Sequence, residues 1–154
     1  MKIVRSNDLQ FAPALARGKF SNNRKGLSPP DVKLSAGMWE LPAGKRSFPM
    51  HTHHVTEEAL YVVSGKAKIR TPDGETPIGP GDYVSFPAGG PAHQLINDGT
   101  ESLVYLGFSV NTAGADIVEY PDSGKVACSI GNGPDRKRFV FLGKSQVDYF
   151  EGED

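Results

Sequence analysis

The fold turns on the stretch His51-Thr-His53-His54-Val-Thr-Glu57-Glu58, read together with an isolated His93 that follows Phe86-Pro-Ala-Gly-Gly-Pro-Ala92. Histidine and carboxylate at short spacing are what a divalent transition ion needs. Successive side chains of an extended strand point to opposite faces, so His51 and His53 share a face and can grip one ion. The chain has 4 histidines in all, and only His93 lies outside positions 51 to 54. His93 follows a turn-rich loop of the kind that aims a side chain.

Outward from this stretch, 18 glycines and 12 prolines punctuate the chain every several residues, which predicts short strands joined by tight turns. Strands are expected near Val32 to Leu41, Ala59 to Val63, Lys66 to Arg70, Tyr83 to Phe86, His93 to Asn97 and Leu103 to Val110. Pro72-Asp-Gly74, Pro80-Gly-Asp82 and Asn97-Asp-Gly99 supply the connecting turn chemistry. No window between them repeats its apolar residues every 3.6 positions, so the class is all-β, a sandwich or barrel with little helix. Alternation gives the faces. If Glu58 points inward, so do Leu60 and Val62; Lys66, Lys68 and Arg70 form an outer face opposite Ala67 and Ile69. The pocket is then mostly apolar, with polar groups from Tyr83, Ser85 or Tyr105 according to phase.

A chain of 154 residues without a composition break makes one domain. Its expected parts are an N-terminal extension over residues 1–30 lying on the barrel, a barrel core over 31–112, and a segment over 113–154 completing or covering it. The net charge of -1 and the absence of a basic stripe exclude nucleic acid as a partner. Apolar runs such as Ser102 to Phe108 fall far short of the roughly 20 residues that span a bilayer, so no membrane partner is expected. The opening Met1-Lys-Ile-Val-Arg-Ser-Asn-Asp8 has no apolar run and Cys128 is the only cysteine, which together predict the cytoplasm. Phe11, Phe20, Trp39, Phe139 to Leu142 and Phe150 are more apolar surface than one barrel interior takes, and predict a homodimer.

Read as spacing, His51-x-His53 is followed after four residues by Glu58, after six more by Gly65 and after fifteen more by Gly81. Five residues then lead to Pro87-x-Gly89, and His93 is followed after three residues by Asn97. This resembles the paired motifs of the cupin superfamily, over about residues 36 to 110. Two spacings depart from the family pattern: six residues instead of five separate Gly44 from His51, and three instead of two separate Gly89 from His93, where Gly90 is an alternative for the motif glycine. The resemblance implies a double-stranded β-helix, a jelly-roll barrel, with His51, His53, Glu58 and His93 as ligands of one internal metal ion. The stretch Ala115-Asp-Ile-Val-Glu-Tyr-Pro-Asp-Ser-Gly-Lys125 also resembles small bacterial cupins described as sugar-phosphate-isomerase-like.

Neutral imidazoles and one carboxylate suit Mn, Fe, Co, Ni or Zn, and three histidines with a glutamate leave two positions of a six-coordinate ion open. That is a catalytic layout. The implied function is a metal-dependent enzyme on a small polyoxygenated substrate, of sugar-phosphate isomerase type; a metal-dependent dioxygenase or a non-enzymatic small-molecule-binding cupin are the alternatives. The residue types do not name a catalytic base, and Glu57, His54, Tyr61 and Tyr105 stay open. His54 and Glu57 alternate away from the ligand face, toward the rim or surface. Trp39, with Met38 and Leu41, reads as core or interface filling, Cys128 has no histidine left to activate it, and Lys45-Arg46 is the one hint of an anionic substrate.

Overall fold

The computed structural model describes residues 1–29, 32–110, 114–131, 135–144 and 147–153. The expected segment boundaries at 30/31 and 112/113 fall outside these residues. The strands are β1 (Ala12–Arg17), β2 (Phe20–Gly26), β3 (Leu34–Leu41), β4 (Thr52–His53), β5 (Glu57–Ser64), β6 (Ala67–Thr71), β7 (Gly74–Ile78), β8 (Tyr83–Phe86), β9 (Gln94–Ile96), β10 (Leu103–Val110), β11 (Ala115–Tyr120), β12 (Lys125–Ile130) and β13 (Lys137–Leu142). Ser6–Asp8 and Pro121–Ser123 are short 3-10 turns.

One wall is a six-stranded sheet in the order β1-β2-β3-β10-β5-β8. Opposite it stand the sheets β7-β6-β9 and β13-β12-β11-β4, joined edge to edge where His51 and His93 exchange both backbone hydrogen bonds, at 3.1 and 2.8 Å. The chain thus builds the all-β, double-stranded β-helix expected of it. Leu41 and Leu103, cross-strand partners on β3 and β10, are fully buried and anchor a core with Leu60, Val62, Ala67, Ile69, Ile78, Leu95 and Tyr105. Burying each leucine contributes about 1.5–3 kcal/mol.

The alternation reading sets the interior. Leu60, Val62, Ala67 and Ile69 are buried, and Lys66, Lys68 and Arg70 lie on the outer face. On β8 the phase puts Val84 and Phe86 against the core and turns Tyr83 and Ser85 outward, so that of the three polar residues left to phase Tyr105 is the inward one.

The first 30 residues have no alternating pattern, yet ten of the described ones pair across a hairpin: Arg17 faces Phe20 across a turn at Gly18, whose φ of +59° suits glycine. β2 then pairs with β3 at the open edge of the large sheet. Both strands are only partly covered on each face, so no period-2 apolar signal arises. At the other end of the chain, β11, β12 and β13 form a meander that β4 closes by pairing with β11.

Candidate metal centre

His51 stands just before β4, His53 on it, Glu58 at the start of β5, and His93 immediately before β9. The residues quoted at the outset come together. The Nε2 atoms of His51, His53 and His93 lie 3.7, 3.6 and 3.6 Å from a single atom, Oε2 of Glu58. His51, Glu58 and His93 make the tightest set, with ligand atoms all within 4.8 Å of one another; His53 joins through Glu58.

The longer loop before His93 is absorbed without displacing it. Gly89, at φ +70°, donates its N–H to the His53 carbonyl at 2.7 Å, and Thr52 Oγ1 donates to the Gly90 carbonyl at 2.7 Å. The motif glycine is therefore Gly89, since it is the one that takes the left-handed backbone. Asn97 is buried and saturated, donating to the carbonyls of Leu41 and Glu101 and accepting from the Gly99 N–H. It locks the far end of β9 to β3.

Each imidazole is oriented from behind. His51 Nδ1 lies 2.9 Å from the Pro49 carbonyl, His53 Nδ1 is hydrogen-bonded to Asp116, and His93 is hydrogen-bonded to the Pro91 carbonyl. With a proton on the nitrogen facing that acceptor, the neutral ring presents a bare Nε2 lone pair toward Glu58. In that tautomer three lone pairs and a carboxylate converge, which suits a cation between them; a proton on an Nε2 would instead be donated to Glu58. This donor set fits a divalent transition ion.

Asp116 is the functional residue that spacing did not single out. It is 3% exposed and also accepts from Thr56 Oγ1 at 3.0 Å, Val55 N at 3.2 Å and Thr56 N at 3.3 Å. Burial pushes its carboxyl up, but the hydrogen bonds from His53 and Thr56 and the His53 charge outweigh that and hold it below the ordinary value. Glu58 behaves alike: burial raises it, the surrounding imidazoles lower it, and the net is a carboxyl far below its usual range. Burial lowers the imidazole of His93, which stacks on Phe86 with ring centroids 3.7 Å apart.

The cluster lines a cavity of about 690 Å³ between the two walls. Trp39, Phe48, Phe86 and Leu95 give it apolar surface, and Tyr105, Tyr120, Ser35 and Ser109 give it hydroxyls. Of the residues left open as a proton-transfer group, Tyr105 lies in this cavity. Glu57 and Tyr61 are exposed on β5, and His54 is exposed and pairs with Glu119 at 2.9 Å. Burial, helped by the Glu58 charge, pushes the Tyr105 hydroxyl well above its ordinary pKa, so it stays protonated. Lys45 and Arg46 are not among the lining residues; Lys45 Nζ donates to the Gly18 carbonyl of the hairpin turn at 3.1 Å, and Arg46 donates to Gln94 Oε1 of β9 at 3.3 Å. Trp39 does pack on the core, but one side of its ring also faces the cavity.

Comparison with known proteins agrees with this geometry. The cupin domain family model matches residues 37–109. A solved structure named "Putative sugar phosphate isomerase", from Acidithiobacillus ferrooxidans, is 32% identical with a TM-score of 0.73, over 83% of this chain and 80% of that one. The Silicibacter pomeroyi sugar phosphate isomerase of the cupin superfamily aligns over 96% of this chain and 97% of its own with a TM-score of 0.75 at 18% identity, a likeness of fold. A Thermotoga maritima protein described as a predicted oxalate decarboxylase shares the fold at a TM-score of 0.62 and 20% identity, over 73% of this chain and all of that one. No curated protein matches the sequence. By its motif order, barrel topology and inward histidine cluster, the chain belongs to the cupin superfamily.

Proposed function

We propose that this protein is a metal-dependent enzyme that interconverts a small polyoxygenated carbonyl compound, in the manner of a sugar-phosphate isomerase. The observation that carries it is the convergence of three imidazole nitrogens on Glu58 Oε2, in the wall of a cavity that also holds a buried, protonated tyrosine. A divalent transition ion would be held by His51, His53, His93 and Glu58 and would supply Lewis acidity toward the oxygens of the substrate. Tyr105 then offers an O–H donor to a substrate oxygen, since its neutral form persists across the physiological range. Phe48, Phe86 and Trp39 shield the site from bulk water, and Asp116 fixes the ring of His53. The same reading makes the protein a cytoplasmic homodimer. The lone Cys128 supports the compartment, and the exposed apolar C-terminal strand supports the dimer.

Metal analysis of protein purified without chelator, followed by aldose–ketose and oxygen-uptake assays, tests this reading. We expect bound metal, isomerase turnover that disappears with chelation, and loss of most of the metal in His53→Ala and His93→Ala. Tyr105→Phe should keep the metal and lower turnover by about 10²-fold, the size of a lost positioned proton donor. Oxygen consumption without isomerisation would shift the reaction to dioxygenation, and neither activity would leave a binding protein.

A further inference from the structure

Four cationic side chains line the cavity: Arg24, Lys125, Arg136 and Arg138. The carboxylate that lines it with them is Glu58, already committed to the imidazoles. Among the described residues none of the four cations pairs with a carboxylate, although on the outer surface Lys68 and Arg70 do, with Asp98 and Asp122. A concave site with a surplus of positive charge draws an anion.

Arg24 is the most constrained of the four. It pairs in register with Trp39 across β2 and β3, and its guanidinium carbon lies 5.2 Å from the Trp39 ring centroid. Room for it comes from glycine: a Cβ on Gly37 would lie 2.7 Å from Arg24 Nε, and one on the cross-strand neighbour Gly107 would lie 2.8 Å from the Trp39 indole nitrogen. Arg24 Nε is buried and makes no hydrogen bond. A buried guanidinium N–H without an acceptor is costly, and an anionic ligand relieves that cost.

The other wall brings its cations close to the imidazoles. Arg138 donates to the Tyr120 hydroxyl, and the Tyr120 ring lies 6.1 Å from that of His51. Arg136 donates to Ser129 Oγ at 2.9 Å through one terminal nitrogen. Cation–aromatic contacts therefore lead back to the histidine cluster from both walls, through Trp39 and Phe48 on one side and through Tyr120 on the other.

We infer that Arg24, with Arg138, Arg136 and Lys125, forms the subsite for a dianionic phosphate ester on the substrate, Arg24 being the anchor. This rests on the reading of the cavity as a sugar-phosphate site and adds which residues read the phosphate. Guanidinium forks match the geometry of a phosphoryl group, and four unneutralised cations exceed what one carboxylate needs. All four lie outside residues 37–109, the part matched by the cupin model. The barrel motif supplies the ion-binding cluster; the flanking strands supply the recognition.

Trp39 is the sole tryptophan, so its fluorescence reports on Arg24 directly. Titration with a sugar-alcohol phosphate, which has no carbonyl to react, is compared with titration of the parent sugar alcohol and of inorganic phosphate, on metal-loaded and metal-stripped protein. We expect the phosphorylated polyol to bind at least about tenfold tighter than its parent, inorganic phosphate to compete with it, and the ratio to survive removal of the metal. Arg24→Gln should bring the ratio near one, and Arg138→Gln should cut it severalfold, while unchanged binding of the parent polyol shows that each variant is folded. A wild-type ratio near one, or a ratio untouched by both substitutions, overturns the subsite. A retained ratio without aldose–ketose turnover would instead remove the isomerase reading and leave the subsite standing.

Discussion

At the scale of single residues, Asp116 decides how well His53 can serve as a ligand. A histidine that donates one ring N–H to a carboxylate presents the other nitrogen in a fixed tautomer and direction, and such partners typically tune metal affinity 10–100-fold. Asp116→Asn keeps the shape but removes the charge and one acceptor, so metal affinity, measured by competition with a chromogenic chelator, should fall by roughly that factor. An unchanged affinity would show that His53 needs no orientation from behind. The four converging side chains were legible in the sequence because their spacing is local to two short motifs. Asp116 was not, because it reaches His53 across 63 residues through the pairing of β4 with β11, and no short-range pattern encodes that register. Arg24 was equally hidden, because its place beside Trp39 is set by the pairing of β2 with β3.

At the scale of elements, the barrel's turns hold the motif strands in place. Gly65 joins β5 to β6 with φ +78°, and a Cβ there would lie 2.3 Å from the Ser102 carbonyl oxygen and 2.9 Å from the Leu103 Cα, both backbone atoms that cannot swing away. Gly65→Ala combines a left-handed backbone penalty of about 1–2 kcal/mol with that clash, so urea unfolding should show a loss of at least about 2 kcal/mol. A smaller loss would mean that the β10 approach yields. The central strands were readable for the same reason that this glycine matters: turn residues and inward alternation are fixed by a fully buried face. The flanking hairpin β1–β2 and the meander β11–β12–β13 are placed by backbone pairing to β3 and β4, and no apolar alternation announces them: in β11 the buried positions are Asp116 and Val118, while Ile117 is exposed.

At the scale of the whole molecule, the buried titratable groups set the response to acid. The folded state holds His93 below its ordinary pKa by burial, so the unfolded chain takes up that proton first, and stability falls as pH drops through about 6.5. Asp116 acts further down: its folded carboxyl is depressed, so its contribution is present above the ordinary carboxylate range and is lost as pH falls through the lower, folded value. Melting temperature of metal-stripped protein should therefore decline from pH 7.5 to 5.5 and again below about 4. A flat profile above pH 5.5 would contradict a buried neutral His93. Self-association is the other whole-molecule property. Among the described residues β13 pairs with β12 on one side and with no strand on the other, and Phe139 and Phe141 stack on each other with ring centroids 6.4 Å apart while remaining 47% and 53% exposed. Val140 and Leu142, on the opposite face, are 55% and 49% exposed. A long apolar edge of this kind is a template for pairing, and a second copy of the chain is the occupant always present at equal concentration. Of the aromatic residues that suggested a dimer from sequence, Trp39 is used inside the molecule, so the C-terminal strand carries the argument. Because Arg138 and Val140 of that strand line the cavity, a partner covering β13 also screens the cavity wall from water. Light scattering at micromolar concentration should give twice the 16.6 kDa chain mass, and Phe139→Asp with Phe141→Asp should return it to the monomer value with weakened substrate binding. A wild-type mass of 16.6 kDa would instead show that β13 remains a free edge and that the cavity wall it forms faces solvent.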